Sequence, residues 1–245
     1  MSNRTLLSVT GADRVDFLQG LVTNDVSHLN DGPVYGALLT PQGKYLADFF
    51  VIGAGEAIQV DADAAQAPAL MQRLSMYKLR ADVQIAEAGL HLHRGLGDAP
   101  EDGWADPRHP ALGWRAWRAA PAETDATDWT ALYVQHLIPQ SGIELHENTF
   151  ILEARFEALN GVDFRKGCYV GQEVTARMKH KTELRKGLAA VEVDGAAEPG
   201  TEIVADGKAA GTLHSRAGDR AIAYLRFDRA QGAMQAGEAT VRRAD

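Results

Sequence analysis

The sequence predicts an α+β fold: a body of helix packed on sheet over residues 1–184, then a small C-terminal β-barrel over 185–245. Three observations carry this. Strand-like segments and one long amphipathic helix alternate in the order βββαβ early in the chain. Short strands with frequent glycines follow Gly187. The character of the chain changes between 184 and 187, and a stretch rich in Gly, Pro and Asp, Gly95–Pro110, divides the first region into 1–94 and 111–184.

Leu6, Leu7 and Val9 open a strand that Gly11 breaks, and Asp13 is placed to cap a helix carrying Val15, Leu18, Leu21 and Val22. Thr23-Asn24-Asp25-Val26 forms a polar corner after it. Tyr35–Thr40 and Tyr45–Ile52 read as strands joined by Pro41-Gln42-Gly43-Lys44, where proline suits the second turn position and glycine tolerates positive φ. Glu56–Asp61 is a third strand. Residues 63–79 form an amphipathic helix with Ala67, Leu70, Met71, Leu74 and Leu79 on its apolar stripe. Period two returns at Asp82–Glu87 and Leu90–His93. Gly95–Pro110 reads as a linker, Gly113–Arg118 as a strand, and Trp129, Leu132, Tyr133, His136 and Leu137 recur at helical spacing before Pro139. In the barrel region, Asp206-Gly207 sits where a tight hairpin turn belongs.

Composition narrows the function. The 245 residues are 45% hydrophobic and 24% charged, which suits a globular protein. No apolar run approaches the roughly 18 residues of a membrane span, and Met1–Thr5 lacks the apolar core of a signal peptide, so a cytoplasmic address and no membrane are expected. The single cysteine excludes an internal disulfide, a cysteine-only metal cage and an iron–sulfur cluster held by four cysteines of this chain. A net charge of −8 argues against wrapping by nucleic acid. Against that background, residues 165–186 carry seven Lys/Arg and two Glu, a basic segment suited to a glutamate tail, a phosphate or RNA, or simply to solvent.

The most informative stretch is Val162–Met178. Gly167 and Gly171 bracket Cys168-Tyr169-Val170 and permit a sharp backbone excursion. Gln172–Met178 then starts a helix with Glu173 in its first turn, where the macrodipole favours an acid. Cys168 falls just before that helix, beside Arg165 and Lys166, features that stabilise a thiolate. No nucleophile elbow, phosphate loop or dinucleotide turn is present. His91 and His93 share a strand face but lack a third ligand, so no metal site is expected.

The octapeptide Lys166-Gly167-Cys168-Tyr169-Val170-Gly171-Gln172-Glu173 resembles the signature of the YgfZ-type folate-binding proteins. That family includes mitochondrial iron–sulfur assembly factors and is related to the glycine-cleavage T-protein. Further ordered blocks match: Val9–Asp13, Phe17–Gly20, Thr23–Val26, Pro41–Lys44 and Leu159–Lys166. The resemblance implies a T-protein-like folate-binding body with a C-terminal barrel. It implies tetrahydrofolate or a one-carbon derivative as ligand, with Trp129, Asn24, Asp48 and Tyr169 as contacts, and Cys168, Lys166 and Asp48 as the chemically active residues. There are departures. The T-protein's adjacent acids read here as Ala47-Asp48, which weighs against aminomethyl transfer, and a second folate tryptophan aligns with Arg4. The chain is short around 95–125.

Three readings follow. The first is an iron–sulfur assembly or repair factor acting on assembly or client proteins, with an indirect effect on tRNA modification. The alternative is a tetrahydrofolate-dependent aminomethyltransferase. The third is an RNA-associated module using the basic segment, which ranks last.

Overall fold

The computed structural model describes residues 4–181 and 183–244; Met1–Asn3, Thr182, Asp245 and the side chain of Lys181, counted above in the basic segment, lie outside the described residues. The chain divides into two compact units, Met1–Thr127 with Phe156–Ala176, and Asp128–Arg155 with Arg177–Asp245. The region 1–184 is therefore split, and residues 128–155 go with the barrel. Among the described residues no helix is long and apolar enough to cross a membrane.

In the first unit the elements are β1 (Arg4–Thr10), α1 (Arg14–Gln19), β2 (Val34–Leu39), β3 (Tyr45–Ala54), β4 (Ala57–Asp63), α2 (Ala67–Tyr77), β5 (Gln84–Glu87), β6 (His91–Gly95), β7 (Trp104–Ala105) and β8 (Trp114–Arg118). An antiparallel five-stranded sheet has the order β2-β3-β4-β1-β5, and a smaller sheet the order β6-β8-β7. The predicted linker thus holds a strand, β7, and two buried residues, Asp106 and Arg108. Asp13 does not cap α1; its carboxylate accepts from Asp82 N at 2.8 Å. The second helix is shorter than its pattern, starting at Ala67 and ending at Tyr77, which leaves Leu79 outside it.

Strand alternation gives the large sheet two different faces. Leu7, Val9, Ala47, Phe49, Val51, Ile58, Val60 and Ala62 turn to one side and pack with Leu18, Val22, Leu70 and Leu74. Burial of each larger side chain contributes about 1.5–3 kcal/mol. The other face carries Asp48, Phe50 and Asp61 on β3 and β4. There Asp61 accepts from Arg4 Nε at 2.7 Å, Arg115 Nη2 at 2.9 Å and Trp117 Nε1 at 2.9 Å. Arg115 also reaches Asp106 at 3.1 Å, and Arg108 pairs with Asp106 at 2.8 Å. The Arg115 guanidinium lies 3.8 Å from the Phe50 ring centroid and that of Arg108 4.9 Å. Burial alone would raise the Asp61 carboxyl, but Arg4 and Arg115 outweigh it and hold it below the usual range.

The turn between β2 and β3 meets the entry to α4 (Gln172–Lys181), which opens in this unit. Gly43 and Gly171 have φ of +75° and +85°. A Cβ on Gly171 would stand 2.6 Å from Thr40 O and 3.2 Å from Gly43 Cα; one on Gly43 would stand 2.8 Å from Val174 Cβ. Two backbones approach here at a distance only glycine permits.

The second unit contains α3 (Trp129–His136) and the strands β9 (Lys186–Asp194), β10 (Glu202–Ala205), β11 (Lys208–Ala217), β12 (Arg220–Arg226), β13 (Met234–Ala236) and β14 (Ala239–Arg243). The strands close a barrel in the order β10-β11-β12-β9-β14-β13, as predicted, around Val191, Ile203, Leu213, Leu225 and Val241. Residues 128–155 stay with it through buried carboxylates. Glu144 accepts from Ser215 N at 3.0 Å and Gln140 N at 2.9 Å, and Glu153 accepts from Tyr224 OH at 2.8 Å.

Two tests follow. The depressed Asp61 carboxyl contributes stability that is present above the unfolded carboxylate pKa, near 4, and lost as pH falls through the folded value. Urea unfolding free energy should therefore fall below about pH 4. Asp61→Asn should cost roughly 3–5 kcal/mol at neutral pH and flatten that acid limb, because it leaves arginines buried without their partner; an unaltered limb would falsify the assignment. Gly171→Ala should cost about 2–4 kcal/mol through φ strain and the Thr40 clash, and an unshifted urea midpoint would show that the approach to Gly43 is not tight.

Candidate functional site

Lys166 is turned inward. It is 8% exposed, and its ammonium donates to the carbonyls of Gln19 at 2.9 Å, Asn24 at 2.8 Å and Val22. All three of its protons are thus spent on the chain that leaves α1. Burial pushes its pKa down to about 8, against the nearby Asp25 and Asp163. The cation stands 5.3 Å from the Tyr169 ring centroid. Tyr169 is itself buried, which pushes its phenol up to about 12 although Thr175 hydrogen-bonds to it.

Cys168 lies between these two anchored residues and is exposed. The sequence places it between Arg165 and Lys166 on one side and a helix start on the other. In the structure Lys166 supports the loop from within, and the Arg165 side chain is 95% exposed. Of the two bracketing glycines only Gly171 is sterically required. Gly167 lacks a positive φ, and a Cβ there would meet nothing within 4 Å. Gln172 N closes the turn on Tyr169 O at 3.2 Å, and Glu173 sits exposed in the first turn of α4.

The matching sequence blocks interlock behind this loop. Buried Thr23 donates to Gly161 O at 2.7 Å and accepts from Ala37 N at 2.9 Å. Asn24 Nδ2 donates to Tyr35 O at 2.8 Å and Asn160 O at 2.6 Å, and its Oδ1 accepts from Asp25 N at 2.9 Å. The side chain offered to folate is therefore committed to the backbone.

Asp48 lies on the ionisable face of the sheet and is 4% exposed. Tyr45 OH donates to one oxygen at 2.6 Å and Tyr35 OH to the other at 3.1 Å. Burial, then the Asp48 charge, push the Tyr35 phenol well up. Arg4 is drawn into the Asp61 cluster. Trp129 belongs to the other unit. It starts α3 behind the Asp128 cap, which accepts from Ala131 N at 2.9 Å, and its ring centroid is 6.2 Å from that of Tyr133. Of the aromatic part of the set assigned to folate, Tyr169 is buried and Trp129 is half-buried. The polar part, Asp48 and Asn24, is spent on the protein's own groups.

The Asp61, Asp106, Arg108 and Arg115 cluster escaped the sequence reading. Its one trace was the alternation Trp114-Arg115-Ala116-Trp117-Arg118, with arginine at a strand position that proves buried.

Comparison with known proteins places this geometry. Residues 185–244 match the family described as CAF17, C-terminal beta-barrel domain. The chain is 30% identical to the iron–sulfur cluster assembly factor IBA57, mitochondrial, of Mus musculus, over 96% of this chain and 78% of that protein. It is 32% identical to the IBA57 homolog of Phaeosphaeria nodorum over 81% of this chain and 57% of the relative, and 30% identical to that of Mycosarcoma maydis over 75% and 54%. It thus spans little more than half the length of these fungal relatives. The fold matches the glycine cleavage system aminomethyltransferase T of Bartonella henselae with a TM-score of 0.79, over 100% of this chain and 83% of that one, at 14% identity. The relatives are named as mitochondrial proteins, which overturns the cytoplasmic address expected from the first residues. The chain belongs to the CAF17/IBA57-type family of iron–sulfur cluster assembly factors and carries it on an aminomethyltransferase-like fold.

Proposed function

We propose that the chain serves iron–sulfur cluster assembly stoichiometrically, by presenting the Cys168 thiol on a fixed loop to a cluster held by a partner. One observation carries this reading: Cys168 is exposed, while Lys166 and Tyr169 on either side of it are buried. In the proposed step the thiol loses its proton to solvent and its sulfur gives an electron pair to an iron of the cargo, displacing one ligand of that iron, which leaves with its own electron pair and takes up a proton. No oxidant or reductant is needed. A single cysteine cannot hold a cluster, so the other ligands come from the partner. Aminomethyl transfer is the weaker reading, because both oxygens of Asp48 already accept phenol protons inside the sheet.

The test is genetic. In a strain lacking its own copy, Cys168→Ser should reduce the activity of cluster-dependent enzymes to the level of the deletion, whereas Asp48→Asn, checked for native melting, should restore it. Full activity with Cys168→Ser would remove the proposal. So would methylenetetrahydrofolate formed from an aminomethyl donor by the wild type and lost in Asp48→Asn. Any effect on tRNA modification follows, on this reading, from cluster-dependent modifying enzymes.

Tetrahydrofolate or a one-carbon derivative is the proposed small-molecule ligand, supported by the YgfZ-type resemblance and by the half-buried ring of Trp129. When bound, such a group would carry one-carbon units; here Trp129 would hold its flat rings. Anaerobic calorimetry with tetrahydrofolate should show micromolar binding, weakened about tenfold or more in Trp129→Ala. Absence of heat, or equal binding by the variant, would sink the folate reading and leave the role of Cys168 standing.

A further inference from the structure

Leu79 carries two costs that nothing in the fold offsets. Its spacing assigns it to the buried stripe of α2, but the helix ends two residues earlier. Leu79 follows the closing residue Lys78 and is 87% exposed, with φ +42°. That place after a helix end favours glycine, because a Cβ in the left-handed region crowds the following carbonyl. Met76, three residues earlier in the last turn of α2, is 69% exposed. Two large apolar side chains within four residues of chain therefore face water, one of them on strained backbone.

The corner is nevertheless firmly held. Ala81 N donates to Lys78 O at 2.7 Å, Val83 N to Ala81 O at 2.9 Å, and Lys78 Nζ to Val83 O at 3.0 Å. Asp82 N donates to Asp13 Oδ2 at 2.8 Å and Ala12 N to Asp82 Oδ2 at 3.2 Å. Gly11 lies so close beneath that a Cβ would stand 2.0 Å from Asp82 O. Leu79 is presented on a fixed corner. Its charged neighbours are mostly basic. Arg73 and Arg80 are exposed, and among the described residues no ion pair engages either. Lys78 adds a third cation. The carboxylates at the corner, Asp13 and Asp82, are engaged by backbone N–H groups. In a chain of net charge −8, this exposed pair thus has three cations within three residues of it along the chain.

We propose that Met76 and Leu79 form a docking knob that enters an apolar pocket with an acidic rim on a protein partner. The two side chains supply the area to be buried, the fixed corner limits the entropy lost on binding, and Arg73 and Arg80 meet the rim. A strained, exposed residue at a place that suits glycine better is the kind of outlier that marks a functional site. An anionic membrane suits it less well, because Asp13, Asp82 and the negative whole chain would be repelled. The inference stands apart from the role given to Cys168.

The probe is a synthetic amphipathic helix with a leucine stripe flanked by glutamates, titrated against the whole protein by fluorescence anisotropy at low salt. Leu79→Gly should bind it about tenfold or more weakly, and yet melt at the same or a higher temperature than wild type, because glycine relieves the φ strain. Arg73→Glu with Arg80→Glu should weaken binding as well. A several-degree drop in the melting temperature of Leu79→Gly would make Leu79 a structural residue and overturn the proposal. Equal binding by Leu79→Gly, or by a lysine-flanked peptide, would do the same. A Leu79-dependent dimer in sedimentation, or Leu79-dependent binding to phosphatidylserine vesicles without peptide binding, would assign the knob elsewhere.

Discussion

The Asp61 carboxylate holds the ionisable face of the body together. It joins β1, β4 and β8 by accepting from Arg4, Arg115 and Trp117 at 2.7–2.9 Å. Taking so many charges out of water is costly, and it is tolerated only because each has a partner and the guanidiniums also lie over the Phe50 ring. The consequence reaches Asp48. With three arginines gathered on that face, its carboxylate is sealed among phenols and cations. The packing at Asp61 thus decides what chemistry Asp48 is able to do.

Much of this was legible in the sequence where the signal is local. The barrel, the Asp206-Gly207 hairpin, the turn at Gly43 and the helix after Gly171 depend on neighbours along the chain. What was not legible depends on residues far apart. Lys166 follows Arg165 and precedes Cys168, so chain proximity suggests a cation beside a thiol; only the fold shows that its ammonium turns to carbonyls some 140 residues upstream. Gly171 announces a special backbone, but the reason for it is Thr40 and Gly43. The Gly95–Pro110 stretch has a linker's composition, and its buried Asp106–Arg108 pair is two ordinary polar residues until Arg115 is brought against them. Leu79 fits a helical stripe by spacing alone, and the helix stops before reaching it.

Alanine at position 47, where the resemblance leads one to expect a second acid, takes on a different meaning in the structure. Adjacent strand residues face opposite sides of a sheet, so Ala47 points into the apolar core with Phe49 and Val51, away from Asp48. An acid at 47 would not stand beside the Asp48 carboxylate. The case against transfer chemistry therefore rests on the engagement of Asp48 more than on the absence of its neighbour. A backbone shared with an aminomethyltransferase does not bring the reaction with it, since activity resides in the groups on the faces.

On the proposed reading, a protein with one cysteine must obtain most of its hold on a cluster complex from surfaces other than the metal. One sulfur supplies one ligand bond, and the cluster stays chiefly with whatever brings the remaining ligands. Residence on the partner must then come from protein–protein contact, which buried apolar anchors supply more effectively than rim charges do. A fixed thiol loop would answer the need for reactivity, and a fixed apolar corner such as that at Leu79 is the kind of surface that supplies grip. Each is rigid for the same reason: side chains and glycines distant in sequence hold it by hydrogen bonds and close backbone approach.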